Sequence, residues 1–155
     1  MRRRDVAPKT PWVLGLLGLV PFFATLAGSV LATSPYDGVS TTLFFAYAGV
    51  ILSFLGGARW GFEIGARPEA PGILTLTAAV LPSLVAALAI VTQYIVPLVG
   101  LGMLAGGFVL MWVWDFVSTG GSTRRWPLWY RPLRAALTLG ALIALTGKAY
   151  LTMQV

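Results

Sequence analysis

Five long apolar runs, separated by short segments rich in proline, glycine and charge, dominate the sequence. The runs cover residues 12–32, 39–61, 73–91, 95–115 and 133–151. Each is close to the ~20 residues that an α-helix needs to cross the ~30 Å hydrocarbon core of a bilayer. The pattern therefore predicts an all-α fold, a polytopic integral membrane bundle of five transmembrane helices that forms one membrane domain over residues 1–155.

Two prolines interrupt the apolar runs. Pro21 lies inside the first run and Pro82 inside the third. Because proline lacks a backbone N–H and its ring clashes with the preceding turn, we expect a kink at each position. Other prolines stand near the beginnings of runs, where the missing donor costs nothing.

The basic residues predict the orientation of the chain in the membrane. Ten of the eleven lie at one end of the spans, and Lys148 is alone at the other. Since Lys and Arg near span ends are retained in the cytoplasm, we expect a cytoplasmic N terminus and an external C terminus. All six tryptophans fall near the predicted cytoplasmic face, in keeping with the preference of Trp for membrane interfaces.

The first span has an alternative interpretation. MRRR, an apolar run and Val30-Leu31-Ala32 together resemble a signal peptide with a small-residue cleavage site. The run of about 21 residues exceeds the usual 7–15 of a signal peptide, so a retained span is the favoured interpretation. If this segment were cleaved, four spans would remain.

The composition is that of a membrane protein, and it excludes most kinds of catalytic site. Hydrophobic residues make up 57% and charged residues 10% of the chain, and the mean hydropathy is +0.83. Soluble domains carry roughly 25% charged residues. The chain has no Cys or His, and its five acidic residues form no close pair along the sequence. We expect no enzyme activity, no cofactor and no metal site.

A stripe of small residues marks the second span. Gly49, Ser53, Gly57, Gly61 and Gly65 recur every four residues, and with a drift of 40° per step they cover about 160° of the helix. Small residues allow helices in lipid to approach closely. We interpret the stripe as a helix-packing face, with the second span near the centre of the bundle.

Three charged residues lie near the cytoplasmic ends of spans, namely Arg59, Glu63 and Asp115. Arg59 and Glu63 share one side of the second span and can pair. The fourth span runs in the same direction, which brings Asp115 to nearly the depth of Arg59. Three interpretations remain open for this candidate polar cluster: a stop signal with snorkelling side chains, a structural ion pair, or a site for a proton or an anionic head group.

The segment between the fourth and fifth spans alternates aromatic and basic residues. The residues that we expect to contact anionic lipid head groups, or a partner protein, are Arg124, Arg125, Trp126, Trp129, Tyr130, Arg131 and Arg134. Aromatic–basic alternation also occurs in single-strand nucleic-acid binders. A segment this short, tethered to a membrane, is too small for that function, and the basic residues form no groove, so we expect no nucleic-acid partner.

The motifs YAGVILSFLGGARWG (47–61) and PLWYRPLRAALT (127–138) resemble the domain-of-unknown-function 3429 family, relatives of the mitochondrial transmembrane protein 69. The resemblance extends from about Trp12 to Tyr150. It implies a bacterial inner-membrane or mitochondrial setting and supplies no catalytic residue. MRRRDVAPKT is too short for a transit peptide, so we expect a multi-pass protein of the bacterial inner membrane.

These observations favour a non-catalytic inner-membrane protein, an accessory or assembly subunit that packs against a larger membrane complex. The expected partners are the bilayer, its anionic head groups and further membrane subunits. The alternative is a small transporter, channel or lipid-handling protein that uses Arg59, Glu63 and Asp115. Few ionisable residues lie within the spans, which disfavours transport.

Overall fold

The computed structural model describes residues 9–118, 127 and 129–154, and all regular structure in them is helical. The helices are α1 (Lys9–Leu17), α2 (Val20–Leu31), α3 (Tyr36–Ala66), α4 (Ile73–Thr92), α5 (Pro97–Ser118) and α6 (Tyr130–Thr152). Helices α1 and α2 together form one apolar segment, Lys9–Leu31, so that five segments among the described residues are long and apolar enough to cross a membrane. The predicted five-span bundle is confirmed. The orientation of its termini stays a prediction.

The first span is broken between α1 and α2, close to where Pro21 predicted a kink. The break falls at Gly18 and Leu19, and Pro21 occupies the first turn of α2, where a missing N–H leaves no hydrogen bond unmade. The carbonyl of Gly18 accepts a hydrogen bond of 2.6 Å from the Tyr47 hydroxyl of α3. The break is thereby fastened to a neighbouring helix.

The first span is also joined to the core by aromatic contacts. Phe22 of α2 is 1% exposed. Its ring meets those of Phe44, Tyr47 and Phe108 edge to face, at centroid distances of 5.9, 5.1 and 6.0 Å. Such pairs stabilise by about 0.5–1.5 kcal/mol beyond their area burial. This span is an integral part of the bundle.

Helix α3 lies at the centre of the bundle, as predicted, and contacts α2, α4 and α5. Its fully buried residues Phe44, Phe45, Ala48 and Leu52 belong to the main core. Large apolar side chains on the outer faces, such as Leu110, remain exposed. An apolar exterior is what a helix bundle in hydrocarbon requires.

Several predicted span boundaries differ from the observed helices, and two of the differences involve charged residues. The second span was expected to end at residue 61, but α3 continues to Ala66, so that Arg59 and Glu63 lie within its last two turns. The fifth span was expected to begin at residue 133, whereas α6 begins at Tyr130. In both cases the prediction from hydropathy stopped the span near a charged residue. The helix continues past that point because the charged side chains have partners inside the protein.

Of the four glycines in the predicted stripe, only Gly49 lies against another helix of the described residues, so the stripe as a whole stays a prediction. A Cβ added at Gly57, Gly61 or Gly65 would meet nothing within 4 Å. Gly49 lies against α4, where an added Cβ would come within 3.0 Å of Ile90 Cδ1, and Gly56, which is outside the stripe, faces the Ala79 carbonyl oxygen.

The reason is geometric. Residues four apart drift by 40° per step, so a repeat of four turns away from a neighbouring helix within a few steps. Gly49 and Gly56 are seven residues apart and drift by only about 20° in total. The seam between α3 and α4 follows this heptad spacing.

Candidate functional site

Asp115, in the last turns of α5, lies at the centre of a buried charge cluster formed with α3 and α6. Arg134 Nε of α6 donates a hydrogen bond of 2.5 Å to Asp115 Oδ2, and Arg59 Nε of α3 lies 3.6 Å from Oδ1. The Tyr130 hydroxyl is a further donor to Oδ2, at 3.4 Å. The structure thus brings together Arg59 and Asp115, and adds Arg134, which the sequence had placed at the lipid interface.

Arg59 also caps the C-terminal end of α5. Its Nη2 donates to the Ser118 hydroxyl at 2.6 Å and to the Trp114 carbonyl at 3.3 Å. The guanidinium carbon stands 4.5 Å from the centroid of the Trp114 ring. A cation at this end of a helix is favoured, because the last carbonyls have no partners in the helix and carry partial negative charge.

Arg131 approaches the same helix end from α6. Its Nη2 donates to the Phe116 carbonyl at 3.0 Å, and its guanidinium carbon lies 4.6 Å from the Phe116 ring centroid. Arginines from two helices therefore converge on the end of a third. This arrangement fixes α3, α5 and α6 relative to one another.

The three innermost charges do not balance. Arg59, Arg134 and Asp115 are 5%, 7% and 4% exposed, and together they carry one net positive charge. Burying a charge without a partner is costly. The charge that Asp115 does not balance is offset in part at the end of α5, where Arg59 contacts the Trp114 carbonyl and the Trp114 ring.

Glu63, the third residue of the predicted polar cluster, pairs instead with groups in the segment between α3 and α4. Its Oε1 accepts a hydrogen bond of 2.7 Å from the backbone N–H of Gly72 and lies 3.5 Å from Arg67 Nη1. Gly72 directly precedes α4, so the carboxylate satisfies a free donor at a helix N terminus. Glu63 joins α3 to α4, and its expected pair with Arg59 is replaced by the pair with Arg67.

The predicted interfacial segment divides into two groups. Arg124, Arg125 and Trp126 lie outside the described residues. Trp129 and Tyr130 are half-buried, with ring centroids 6.4 Å apart. The prediction that Arg134 lies at the lipid interface is wrong, because pairing with Asp115 offsets the cost of its burial.

An apolar cavity adjoins the cluster, between the first span and helices α3, α5 and α6. Its volume is about 300 Å³. The walls are formed chiefly by Leu14, Leu19, Phe22, Phe54, Phe108 and Leu137, with Arg134, Thr138 and Ala141 along α6. The volume is at the lower end of the ~300–1,000 Å³ range of small-molecule sites.

Two buried polar atoms of the cavity lining have no hydrogen-bond partner. They are Nη2 of Arg134 and Oγ1 of Thr138, whose side chains both belong to the wall. Thr138 is 5% exposed and lies one turn after Arg134 on α6. An unmade hydrogen bond of a buried polar group costs about 1–3 kcal/mol. Arg134 and Thr138 therefore belong to the lining, while these two polar atoms are themselves shielded from solvent and stay without a partner.

Sequence reasoning missed the polar face of α6, although the sequence contains a signal for it. Tyr130, Arg134 and Thr138 follow one another at intervals of four, and Ala141 and Lys148 lie one and two heptads after Arg134. Residues at these intervals share one side of a helix. Polar residues on one side of an otherwise apolar span indicate a face that is turned into the bundle.

Lys148, counted only for orientation in the sequence, is the second buried cation on this face. It is 6% exposed, and its Nζ donates a hydrogen bond of 2.8 Å to the Thr41 hydroxyl of α3. This contact joins α6 to the first turns of α3. It lies fourteen residues from Arg134, about 21 Å along α6, and is separate from the cluster.

With this geometry in place, comparison with known proteins identifies the family. The chain matches, over residues 7–150, the profile of the family described as "Protein of unknown function (DUF3429)". It belongs to this family. The resemblance inferred from the two motifs is confirmed.

Two vertebrate proteins named Transmembrane protein 69 are similar to the chain. The protein from Xenopus tropicalis is 34% identical over 143 residues, covering 91% of this chain and 54% of the relative. The protein from Mus musculus is 30% identical over 145 residues, covering 89% and 54%. The chain thus spans about half the length of these relatives. No solved structure matches it significantly.

Proposed function

We propose that this membrane protein binds an amphiphile from the bilayer in the cavity beside the charge cluster. One observation carries the proposal: an apolar cavity of about 300 Å³ has, at one end, two buried polar side chains with donors left free. Ligand sites are typically apolar pockets with a few convergent polar groups. The lipid-handling function foreseen as an alternative is the one that this geometry supports best.

The shape of the cavity supports entry from the lipid. Its outer wall includes Leu14 and Phe54, which are 64% and 67% exposed on the apolar exterior. Its inner wall includes Phe22 and Phe108, which are 1% and 2% exposed. An amphiphile can therefore pass sideways from the bilayer into the bundle without crossing water.

The charge cluster supports a binding function rather than a reaction. Asp115 is held by Arg134 and Arg59, and Arg59 in turn holds the end of α5. Side chains engaged in this way position helices and create a fixed electrostatic environment. We accordingly propose a non-catalytic protein.

Filling the cavity tests the proposal. Ala141 is 2% exposed and belongs to the cavity wall, so Ala141→Leu should occupy the space meant for the ligand. Native mass spectrometry of the protein extracted from its own membrane should show a 1:1 adduct that Ala141→Leu loses. Ala141 also belongs to the buried core, so the added side chain should lower the free energy of unfolding by about 1–3 kcal/mol through overpacking.

The matched control is Ala135→Leu, because Ala135 lies on the same helix, is exposed and is absent from the cavity wall. This variant should keep both the adduct and the thermal midpoint. If the unsubstituted protein carries no adduct, or if Ala141→Leu keeps it in full, the proposed function is wrong.

The accessory-subunit role remains a second proposal, supported by the unpartnered side of α3. Gly57, Gly61 and Gly65 leave an open groove on which nothing of the described chain packs. A groove of this kind admits a helix of another membrane protein. Cross-linking mass spectrometry on native membranes tests it, and a protein that is recovered alone and monomeric would contradict it.

We also propose the bacterial inner membrane as the location. The proposal rests on the excess of basic residues at one end of the spans, which is how the positive-inside rule orients proteins of that membrane. Fractionation of the source cells tests it, since recovery with any other membrane would refute it.

A further inference from the structure

The geometry points to a single-chain amphiphile with an anionic oxygen head group as the ligand, its head bound by Arg134 Nη2 and Thr138 Oγ1 and its chain lying along the cavity. This inference rests on the proposed function and specifies the chemistry of the ligand. The head-group class includes the carboxylate of a fatty acid and the phosphate of a single-chain phospholipid.

The charge of the head group follows from the local imbalance. Arg59 and Arg134 bring two positive charges and Asp115 one negative charge, all nine-tenths or more buried. Arg67, the partner of Glu63, is largely exposed and belongs to another contact. An anion at the cavity end would neutralise the remaining charge in a setting where water cannot screen it.

The arrangement of donors follows from α6. Arg134 and Thr138 are four residues apart, so their Cβ atoms are about 5–6 Å apart on one side of the helix. Arg134 Nε is already bound to Asp115, which fixes the guanidinium and leaves Nη2 without a partner. The side chain is thus oriented before a ligand arrives, and one head group can accept hydrogen bonds from both residues.

The size of the cavity favours one chain. Its α6 wall extends from Arg134 to Ala141, seven residues or about 10 Å along the helix. A volume of about 300 Å³ is near the minimum for a ligand site and leaves no room for a second acyl chain. The polar end is at the beginning of α6, so the ligand would lie with its head near the membrane boundary, as lipids do.

Ordered water alone would not complete this cavity. A buried water needs two to four polar partners, and Arg134 and Thr138, the two lining residues with polar side chains, could hold one such water between them. Leu19, Phe22 and Phe108 form the remainder and cannot hold water in place. The long apolar part of the space therefore calls for hydrocarbon.

The experiment is a titration of the full-length, delipidated protein in a nonionic detergent with three probes of equal chain length. The probes are palmitate, 1-palmitoyl lysophosphatidate and hexadecanol, whose chains are longer than the cavity and would extend past Leu14 and Phe54 into the detergent, and binding is read by native mass spectrometry. At least one anionic probe should bind about tenfold or more tightly than the alcohol, because hydrogen bonds to charged groups are the stronger ones. The ranking of the two anions then identifies the head group.

Thr138→Val tests the contact without disturbing the ion cluster. The two side chains have similar shape, and the Thr138 hydroxyl has no partner in the free protein. The substitution should weaken the anionic probe about two- to tenfold while leaving the thermal midpoint of the unliganded protein equal or higher. The control is Thr146→Val, on the same helix but exposed and absent from the cavity wall, which should change neither quantity.

The outcomes separate this inference from the proposed function. If hexadecanol binds as tightly as both anions, or if Thr138→Val binds them like the unsubstituted protein, the head-group assignment is overturned while amphiphile binding stands. If none of the three probes binds and no adduct is found in native material, both fail. Discrimination by charge together with its loss in Thr138→Val supports both.

Discussion

Asp115 is the residue on which the cluster depends. It accepts a hydrogen bond from Arg134 and faces Arg59, and no other acidic side chain of the described residues pairs with these two. A buried ion pair adds little net stability when both partners are present. Removing one partner is strongly destabilising, because it leaves the other charge buried and unpaired.

We predict that Asp115→Asn lowers the free energy of unfolding by about 3–5 kcal/mol, because both guanidinium groups then lack a counter-charge. Thermal unfolding of the purified protein in detergent measures the effect. The control is Glu69→Gln on the exposed segment between α3 and α4, which should stay within about 0.5 kcal/mol. Equal stability of the two variants would show that the cluster is not a structural lock.

Residue-level chemistry could be predicted only in part. Arg59 and Asp115 were matched by depth, an argument that works because parallel helices have a common rise per residue. Arg134 was placed in a loop, since a dense run of arginines beside Pro132 is typical of an interface. Its burial depends on a partner 19 residues away in the chain, which hydropathy does not register.

At the scale of elements, the contact between α3 and α4 shows what a sequence pattern can and cannot specify. The number of spans was predictable, because each of the five apolar runs is long enough to cross a bilayer whatever it packs against. The packing face of α3 was not predictable. Several repeats of small residues lie on this helix, and hydropathy alone does not show which of them faces a neighbouring helix. The structure selects Gly56 because the Ala79 carbonyl approaches there, and not at Gly57.

Two neighbouring glycines provide the test of this contact. Gly56→Ala places a methyl group against the backbone of Ala79, which cannot move aside, and should destabilise the protein by about 1–3 kcal/mol. Gly57→Ala points into open space and should be neutral or stabilising by up to about 1 kcal/mol, since alanine favours the helix. Thermal unfolding of both variants measures the difference. A greater loss for Gly57→Ala would contradict the observed seam.

At the scale of the whole molecule, the cavity is a consequence of how the broken first span meets three other helices. Gly15 and Gly18 of that span and Ala141 of α6 present little volume where larger side chains would close the space. No single segment contains this feature. It arises from the assembled bundle, and for this reason hydropathy and motif patterns predicted the membrane fold but not the cavity.

Photo-cross-linking with a diazirine-bearing palmitate in native membranes tests the central claim most directly. Mapped by mass spectrometry, the label should concentrate on the inner wall, at Phe22, Phe108 or Leu137, and should be lost in Ala141→Leu. Label confined to outward-facing residues such as Leu74 and Leu110, at equal levels in both proteins, would contradict an amphiphile site inside the bundle.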